Sequence, residues 1–237
     1  PSLAAGAPLG AFVDLEPHER VVGLAPVDGT ATVALGTRGG VVKRVTVPVP
    51  SARTRSASFI ALDDGDLVVG ATFTPEAMAE NARLAFVTSE GNVLTFPAAS
   101  VRVQGAGASG MAGISMPSDA RAVFFGAVAG ASDGGHEAMV VTLAGSSSAL
   151  PGTELGSVKI SPLSVFPDKG RATKGVRCHK LRASEDEITL AWVGPGPVRG
   201  ATAAGKPVTL PAPTDKRDAT GTPPSAPVAA FGGTIGS

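Results

Sequence analysis

Hydrophobic and polar positions alternate in short bursts along this chain, and the bursts recur. In Val41-Val-Lys-Arg-Val-Thr-Val47, the residues Val41, Lys43, Val45 and Val47 share one face, the period of a strand. The two-strand phrase Val33-Ala-Leu-Gly-Thr-Arg-Gly-Gly-Val-Val-Lys-Arg-Val45 returns as Leu84–Phe96 and as Ala138–Leu150, and in degenerate form as Val198–Leu210. Thr-Arg-Gly-Gly, Ser-Glu-Gly-Asn and Leu-Ala-Gly-Ser supply turn residues for tight hairpins. A second phrase, an apolar strand before an acidic turn, recurs in Phe12–Leu15, Phe59–Leu62, Gly113–Met116 and Cys178–Leu181. Self-similarity at about 50 to 60 residues predicts a ring or array of small β units, none able to bury its own apolar face alone.

Each unit is expected to run as an apolar strand (Val21–Val27, Leu67–Phe73, Ala122–Val128), a hairpin, a loop and a closing strand. A fourth unit fits if Ile188–Val193 is its first strand. It lacks an evident closing strand, whereas the chain starts with a lone one, Phe12–Leu15. Joining the two would remove two exposed sheet edges, so the N-terminal strand is expected to close the last unit. The expected architecture is all-β, a propeller-like ring of about four four-stranded blades over residues 1–222. Residues 223–237 form a Pro/Gly/Ala-rich tail or add a short strand at Val228–Phe231. Pro75–Arg83 can form one short helix, capped by Thr74.

Composition narrows the chemistry. Lys and Arg number 20, as do Asp and Glu, so only local clustering can attract a polyanion. No apolar run approaches the roughly 18 residues of a membrane helix. A start at Pro1 without a leader suggests a piece of something larger. The single cysteine excludes an internal disulfide and fits a cytosolic protein. Cys178 and His179 are adjacent, so strand geometry points them to opposite faces and away from one metal ion. The carboxylate groups Asp63-Asp64-Gly-Asp66 and Glu185-Asp-Glu187 sit at turns and read as solvated, which leaves no convergent acid, base or metal set for an enzyme. Trp192 falls on the more apolar face of its strand, a core position.

Charge collects in the loop between hairpin and closing strand: Ser51–Ser56, Val101–Gly110, Asp168–Arg177 and Thr214–Gly221. Between Pro151 and Arg182, seven Lys/Arg face two acids. Equivalent loops emerge on one rim, which would line up Arg53, Arg55, Arg102, Lys169, Arg171, Lys174, Lys216 and Arg217. Gln104, Arg177 and the hairpin cations Arg38, Lys43 and Arg44 complete the candidate contacts. Small neighbours let a phosphate backbone approach, and the scarcity of aromatics argues against stacking on single strands. The competing reading is a ring that binds proteins, with the basic loops incidental. It requires an exposed apolar patch, for which nine Phe and one Trp leave little material.

These phrases resemble the C-terminal β-pinwheel domain found in the DNA-cleaving component of bacterial type IIA topoisomerases, the family of DNA gyrase A and topoisomerase IV A. The similar parts are Thr37–Arg44, Leu62–Gly70, Gly170–Arg177 and Asp218–Pro223. The resemblance implies a non-catalytic disc whose perimeter binds and bends duplex DNA and positions a segment for strand passage. It implies as partners double-stranded DNA, the catalytic core of the same polypeptide and the ATPase component of the topoisomerase, with no membrane, in the bacterial cytoplasm at the nucleoid. No cofactor is expected in this domain; ATP and Mg2+ would serve the parent enzyme. Cleavage in that family uses a tyrosine, and this chain has none. Gyrases carry a Gln-Arg-Arg-Gly-Gly-Arg-Gly box in one loop. Gln104-Gly-Ala-Gly-Ala-Ser-Gly110 keeps the glutamine, Gly107 and Gly110 but none of the arginines. The departure implies weak wrapping and a topoisomerase IV type or divergent paralogue.

Overall fold

The computed structural model describes residues 9–11, 13, 15–16, 19–49, 57–74, 81–128, 136–149 and 154–233. Its sheets follow from the hairpin phrase. Strands β1 (Thr32–Thr37) and β2 (Val41–Thr46) pair antiparallel around a turn whose Gly40 sits at φ +85°. The same pair recurs as β4 (Arg83–Thr88) with β5 (Asn92–Pro97), β8 (Ala138–Gly145) with β9 (Ser157–Pro162), and β12 (Arg199–Ala201) with β13 (Pro207–Val208). The equivalent glycines, Gly91, Gly156 and Gly205, also hold positive φ. In three of these turns a threonine hydroxyl three residues before the glycine accepts the backbone N–H of the residue after it: Thr37 from Val41 (3.1 Å), Thr88 from Asn92 (3.2 Å) and Thr202 from Lys206 (3.2 Å). That side-chain acceptor occupies a donor the turn would leave open.

The remaining strands complete the sheets by exchange between repeats. The first sheet has the order β3 (Val68–Thr74), β1, β2, β6 (Met111–Ala112). The second runs β7 (Ala122–Val128), β4, β5, β10 (Val176–Arg177), and the third β11 (Glu187–Pro195), β8, β9. An isolated bridge from Thr222 to Val158, with both backbone bonds at 2.9 Å, stands where the third sheet's outer strand belongs. The fourth is β14 (Ala230–Gly232), β12, β13. The apolar strands β3, β7 and β11 therefore join the hairpin before them rather than the one after, a correction to the expected unit, and the expected strand Val21–Val27 does not form. Each outer strand likewise returns to the preceding blade. Periodicity reveals a strand's faces but not its hydrogen-bonding neighbour. Exchange links every blade covalently to the next.

The last blade is completed from the tail, where Gly200 pairs with Phe231. Phe12 and Asp14 of the expected closing strand lie outside the described residues; Val13 and Leu15 are exposed and belong to no strand. Residues 75–80 of the expected helix also lie outside, and Arg83 begins β4.

Strand alternation divides the core by blade. Leu84 and Phe86 of β4 pack toward the first sheet with Ala34, Val42 and Phe125, while Ala85 and Val87 pack toward the third with Val140, Ile188 and Val193. A third cluster (Val141, Val158, Ile160, Val208, Val228) joins the third and fourth sheets. Phe125 lies on the bare backbones of Gly36 and Gly70 and tilts against Phe86 at 4.7 Å between ring centroids. Arg121 and Glu187 add a two-bond ion pair (2.5 and 2.8 Å) between strands entering the second and third blades. Strands β3, β7, β11 and β14 contact one another in that order, which puts them inside and the short strands β6 and β10 on the perimeter.

Candidate nucleic-acid interface

The loops leading into the outer strands are joined by an equivalent backbone hydrogen bond. Ala61 donates to Ala108 (3.3 Å), Ser115 to Thr173 (3.0 Å) and Lys180 to Ala219 (3.0 Å). Each acceptor lies two residues before a glycine, namely Gly110, Gly175 and Gly221, and the next residue enters the outer position of its sheet. The segment leaving one outer strand thus holds the loop of the next repeat. The loops 101–110, 168–175 and 214–221 form one row along the perimeter.

Each loop is fixed differently. In the first, Lys43 of β2 is fully buried, and its ammonium donates to the carbonyls of Ala106 and Ala108, both at 2.7 Å. Arg44 donates to Ala98 (3.2 Å) and Val101 (3.1 Å), and its carbonyl accepts the Gln104 N–H (2.9 Å). Burial lowers the pKa of both side chains, because desolvation disfavours the charged form. The Gln104 Oε1 atom is buried without a partner among the described residues.

The second loop is clamped at both ends. Arg83 grips Asp168 at its start with bonds of 2.7 and 2.5 Å, and Arg177 faces Asp218 at 3.6 Å beyond its end. Between them Ala172 donates to Gly113 (2.7 Å), Arg171 donates to the Ala112 carbonyl, and the Thr173 hydroxyl donates to Gly170 (2.8 Å). Lys169 and Lys174 are exposed and pair with no carboxylate among the described residues. The clamps orient the backbone and leave these two ammonium groups to solvent.

The third loop hangs on a histidine. His179 is fully buried; its Nε2 accepts the Gly221 N–H at 3.0 Å and its Nδ1 meets the Thr142 hydroxyl at 2.8 Å. Because Nε2 accepts, Nδ1 carries the proton. Burial pushes the imidazole pKa down to about 4, against the opposing pull of Glu185. Cys178, next in the chain, points its thiol to the Gly91 carbonyl (3.2 Å), and burial raises its pKa to about 12. The two side chains diverge, and among the described residues no three His, Cys, Asp or Glu groups converge as metal ligands.

Comparison with known proteins places this architecture. The family model described as DNA gyrase C-terminal domain, beta-propeller, matches residues 82–129 and 152–190. The DNA gyrase A protein of Haemophilus influenzae (strain ATCC 51907 / DSM 11121 / KW20 / Rd) is 31% identical over 209 residues, covering 79% of this chain and 23% of that protein. The Escherichia coli (strain K12) gyrase A protein is 29% identical over 178 residues, covering 73% and 18%. This chain belongs to the DNA gyrase A C-terminal domain family. It spans about a fifth of the length of these relatives. Its fold matches the C-terminal domain of DNA topoisomerase IV with a TM-score of 0.70 at 21% identity, covering 92% of this chain and 65% of that one. It matches the DNA gyrase A C-terminal domain at 0.68 and 14% identity, covering 96% and 74%.

Within this gyrase A-type domain the candidate cations divide. Arg102, Lys169, Lys174, Arg177, Lys216 and Arg217 are exposed on or beside the loop row, with Arg171 half-buried among them. Arg53 and Arg55 lie outside the described residues. Lys43 and Arg44 are corrected to internal struts, spent on loop carbonyls. Arg38 sits at the β1–β2 turn in a shallow recess with Asp63, Asp64, Asp66 and Asp119, among carboxylates rather than in the row of loops. Gln104 contributes its backbone to the strut rather than a free amide oxygen. Lys159, counted in the local excess, is buried too and donates to Ser161 (2.7 Å) and the Cys178 carbonyl (2.8 Å). Lys180, which sequence reasoning passed over, is exposed beside the third loop. Asp215 and Asp218 offset Lys216 and Arg217, so the net positive charge of the row concentrates between residues 169 and 180.

Proposed function

We propose that this domain binds duplex DNA along its loop row and bends it, as a non-catalytic part of an ATP-dependent type II topoisomerase that positions a segment for passage. What supports the reading is the row itself: equivalent loops chained along one perimeter, with Lys169, Lys174, Arg177 and Lys180 solvent-facing at its centre. Fixed small-residue loops place backbone and ammonium groups against phosphates without reading bases. The two flanking loops add little net charge. Contact is therefore short, the duplex is bent over the central loop, and wrapping is weak, as in a decatenating rather than a supercoiling enzyme. The strand-cleaving tyrosine, ATP and Mg2+ belong on this reading to the rest of a cytoplasmic enzyme.

Ligase-sealed nicked circles test it. The domain should retard the circles in a gel at low salt, yet weak bending should leave their linking number within about one turn of the protein-free distribution. Circles that are neither retarded nor altered would contradict the proposal, and a large shift would contradict weak wrapping.

A further inference from the structure

The central loop of the row carries a carboxylate where binding to phosphate has least use for one. Asp168 adjoins Lys169, its side chain is 68% exposed, and it is the sole acid between residues 168 and 177. By charge alone it repels the polyanion that Lys169, Lys174 and Arg177 attract. Yet the Arg83 guanidinium holds it through two bonds, at 2.7 and 2.5 Å, across 85 residues of sequence.

The repeat explains why the loop needs that grip. Outer strands β6 and β10 each begin 14 residues after the preceding hairpin ends, at Pro97 and Pro162, so loop 168–175 aligns residue for residue with 103–110. Counted from the turn glycines Gly40 and Gly91, Lys43 matches Leu94 and Arg44 matches Thr95. The first loop rests on the Lys43 ammonium, on the Arg44 guanidinium bonded to the Ala98 and Val101 carbonyls, and on the Gln104 N–H bond to Arg44. Leu94 offers the second loop no such donor. Among the described residues, no backbone bond joins Lys169, the match of Gln104, to Thr95. Instead the Thr95 hydroxyl accepts from the Arg83 guanidinium at 3.4 Å, and Asp168 stands at the position of Val103. A guanidinium thus serves both loops, but the second loop must meet it with a carboxylate. The other anchors, Arg171 to the Ala112 carbonyl and Ala172 N–H to Gly113, hold only the part of the loop beyond Lys169.

We propose that Arg83 and Asp168 are the positioning pair of this loop, holding the Lys169 and Lys174 ammonium groups on the line of the phosphates. The inference rests on the duplex-binding reading. It assigns Asp168 a gain in affinity where its charge alone predicts a loss. A loop fixed before contact gives up less conformational freedom on binding.

Affinity for a mixed-sequence duplex, measured across a double-mutant cycle in the 237-residue chain, tests it. Asp168→Ala should weaken binding about threefold to fivefold, although it removes a negative charge. In an Arg83→Met background the same substitution should tighten binding about twofold, since only repulsion is then relieved. Trypsin in the absence of DNA gives an independent readout. Cleavage after Lys169 should quicken about threefold to fivefold in each single variant and no further in the double. The melting temperature of Asp168→Ala should stay within about 2 °C of the parent. If Asp168→Ala tightens binding in both backgrounds, or weakens it in both, the proposal is overturned while duplex binding stands. Unchanged tryptic cleavage overturns it too, as does a melting temperature lowered by more than about 5 °C, which would make the lost affinity one of folding. A parent chain that binds no duplex at low salt overturns the duplex-binding reading and the role of this pair together.

Discussion

Two buried side chains, Lys43 and His179, decide how the loop row is held. Lys43 offers an ammonium to two carbonyls of loop 101–110, those of Ala106 and Ala108, and the second also accepts the Ala61 N–H. Lys43→Met keeps the stem and removes the donors, so it should cost about 2–3 kcal/mol in chemical denaturation and speed proteolysis of that loop. Unchanged stability would show the carbonyls satisfied otherwise. His179 is neutral when folded, with a pKa depressed to about 4. Between about pH 6.5 and pH 4 the unfolded chain therefore binds a proton that the folded chain refuses, and stability falls as pH falls through that window. The loss should total on the order of 3 kcal/mol and level off below about pH 4. His179→Gln should remove that slope; an unaltered profile would assign it to other groups. Lys43 was legible as internal from its own strand, since alternation places it with Val41, Val45 and Val47. The motif reading instead weighted its charge. His179 carried no comparable signal, because its acceptor role depends on Gly221, brought near only by the fold.

Loops of this kind depend on where their glycines stand. Gly175 leads into β10 at φ +71°, and a Cβ there would lie 2.3 Å from the Val93 carbonyl oxygen. Gly170, in the same loop, has no positive φ and no atom within 4 Å of such a Cβ. Gly175→Ala should thus destabilise by about 2–3 kcal/mol and Gly170→Ala by less than about 0.5, measured by urea denaturation. Similar losses would mean that the loop is not anchored at its outer-strand end. At this scale the hairpins and their turns were readable, because period-two alternation and Thr-x-x-Gly act within a few residues. Strand exchange was not. A two-residue strand such as Met111–Ala112 has too little pattern to reveal that it pairs with Val41 and Val42, some seventy residues earlier. The loop row was inferred from repetition alone, and its physical cause is the Ala61, Ser115 and Lys180 series of bonds.

Across the whole molecule, zero formal charge conceals local clusters of opposite sign. Asp63, Asp64, Asp66 and Asp119 gather at the first hairpin turn, whereas Lys169, Lys174, Arg177 and Lys180 face solvent on the perimeter. A discontinuous belt of cations was expected, with a local excess between Pro151 and Arg182; the structure leaves the net charge on that one loop, since Lys43, Arg44 and Lys159 point inward and the last loop balances its own charges. The exposed aliphatic residues Val21, Leu24, Val27, Val49 and Leu67 were missed for a related reason, because aromatics were counted as the material of an apolar surface. The account rests on the central loop meeting phosphates by charge, which the salt dependence of duplex binding measures most directly. Plotted as log affinity against log salt, the slope for the domain should be about −4 on any mixed-sequence duplex, for roughly four phosphates neutralised. In the Lys169→Gln/Lys174→Gln variant, whose loop clamps are intact, it should flatten by about 2 with weaker binding to all sequences alike. A variant that binds as tightly and with the same slope as the parent would contradict it.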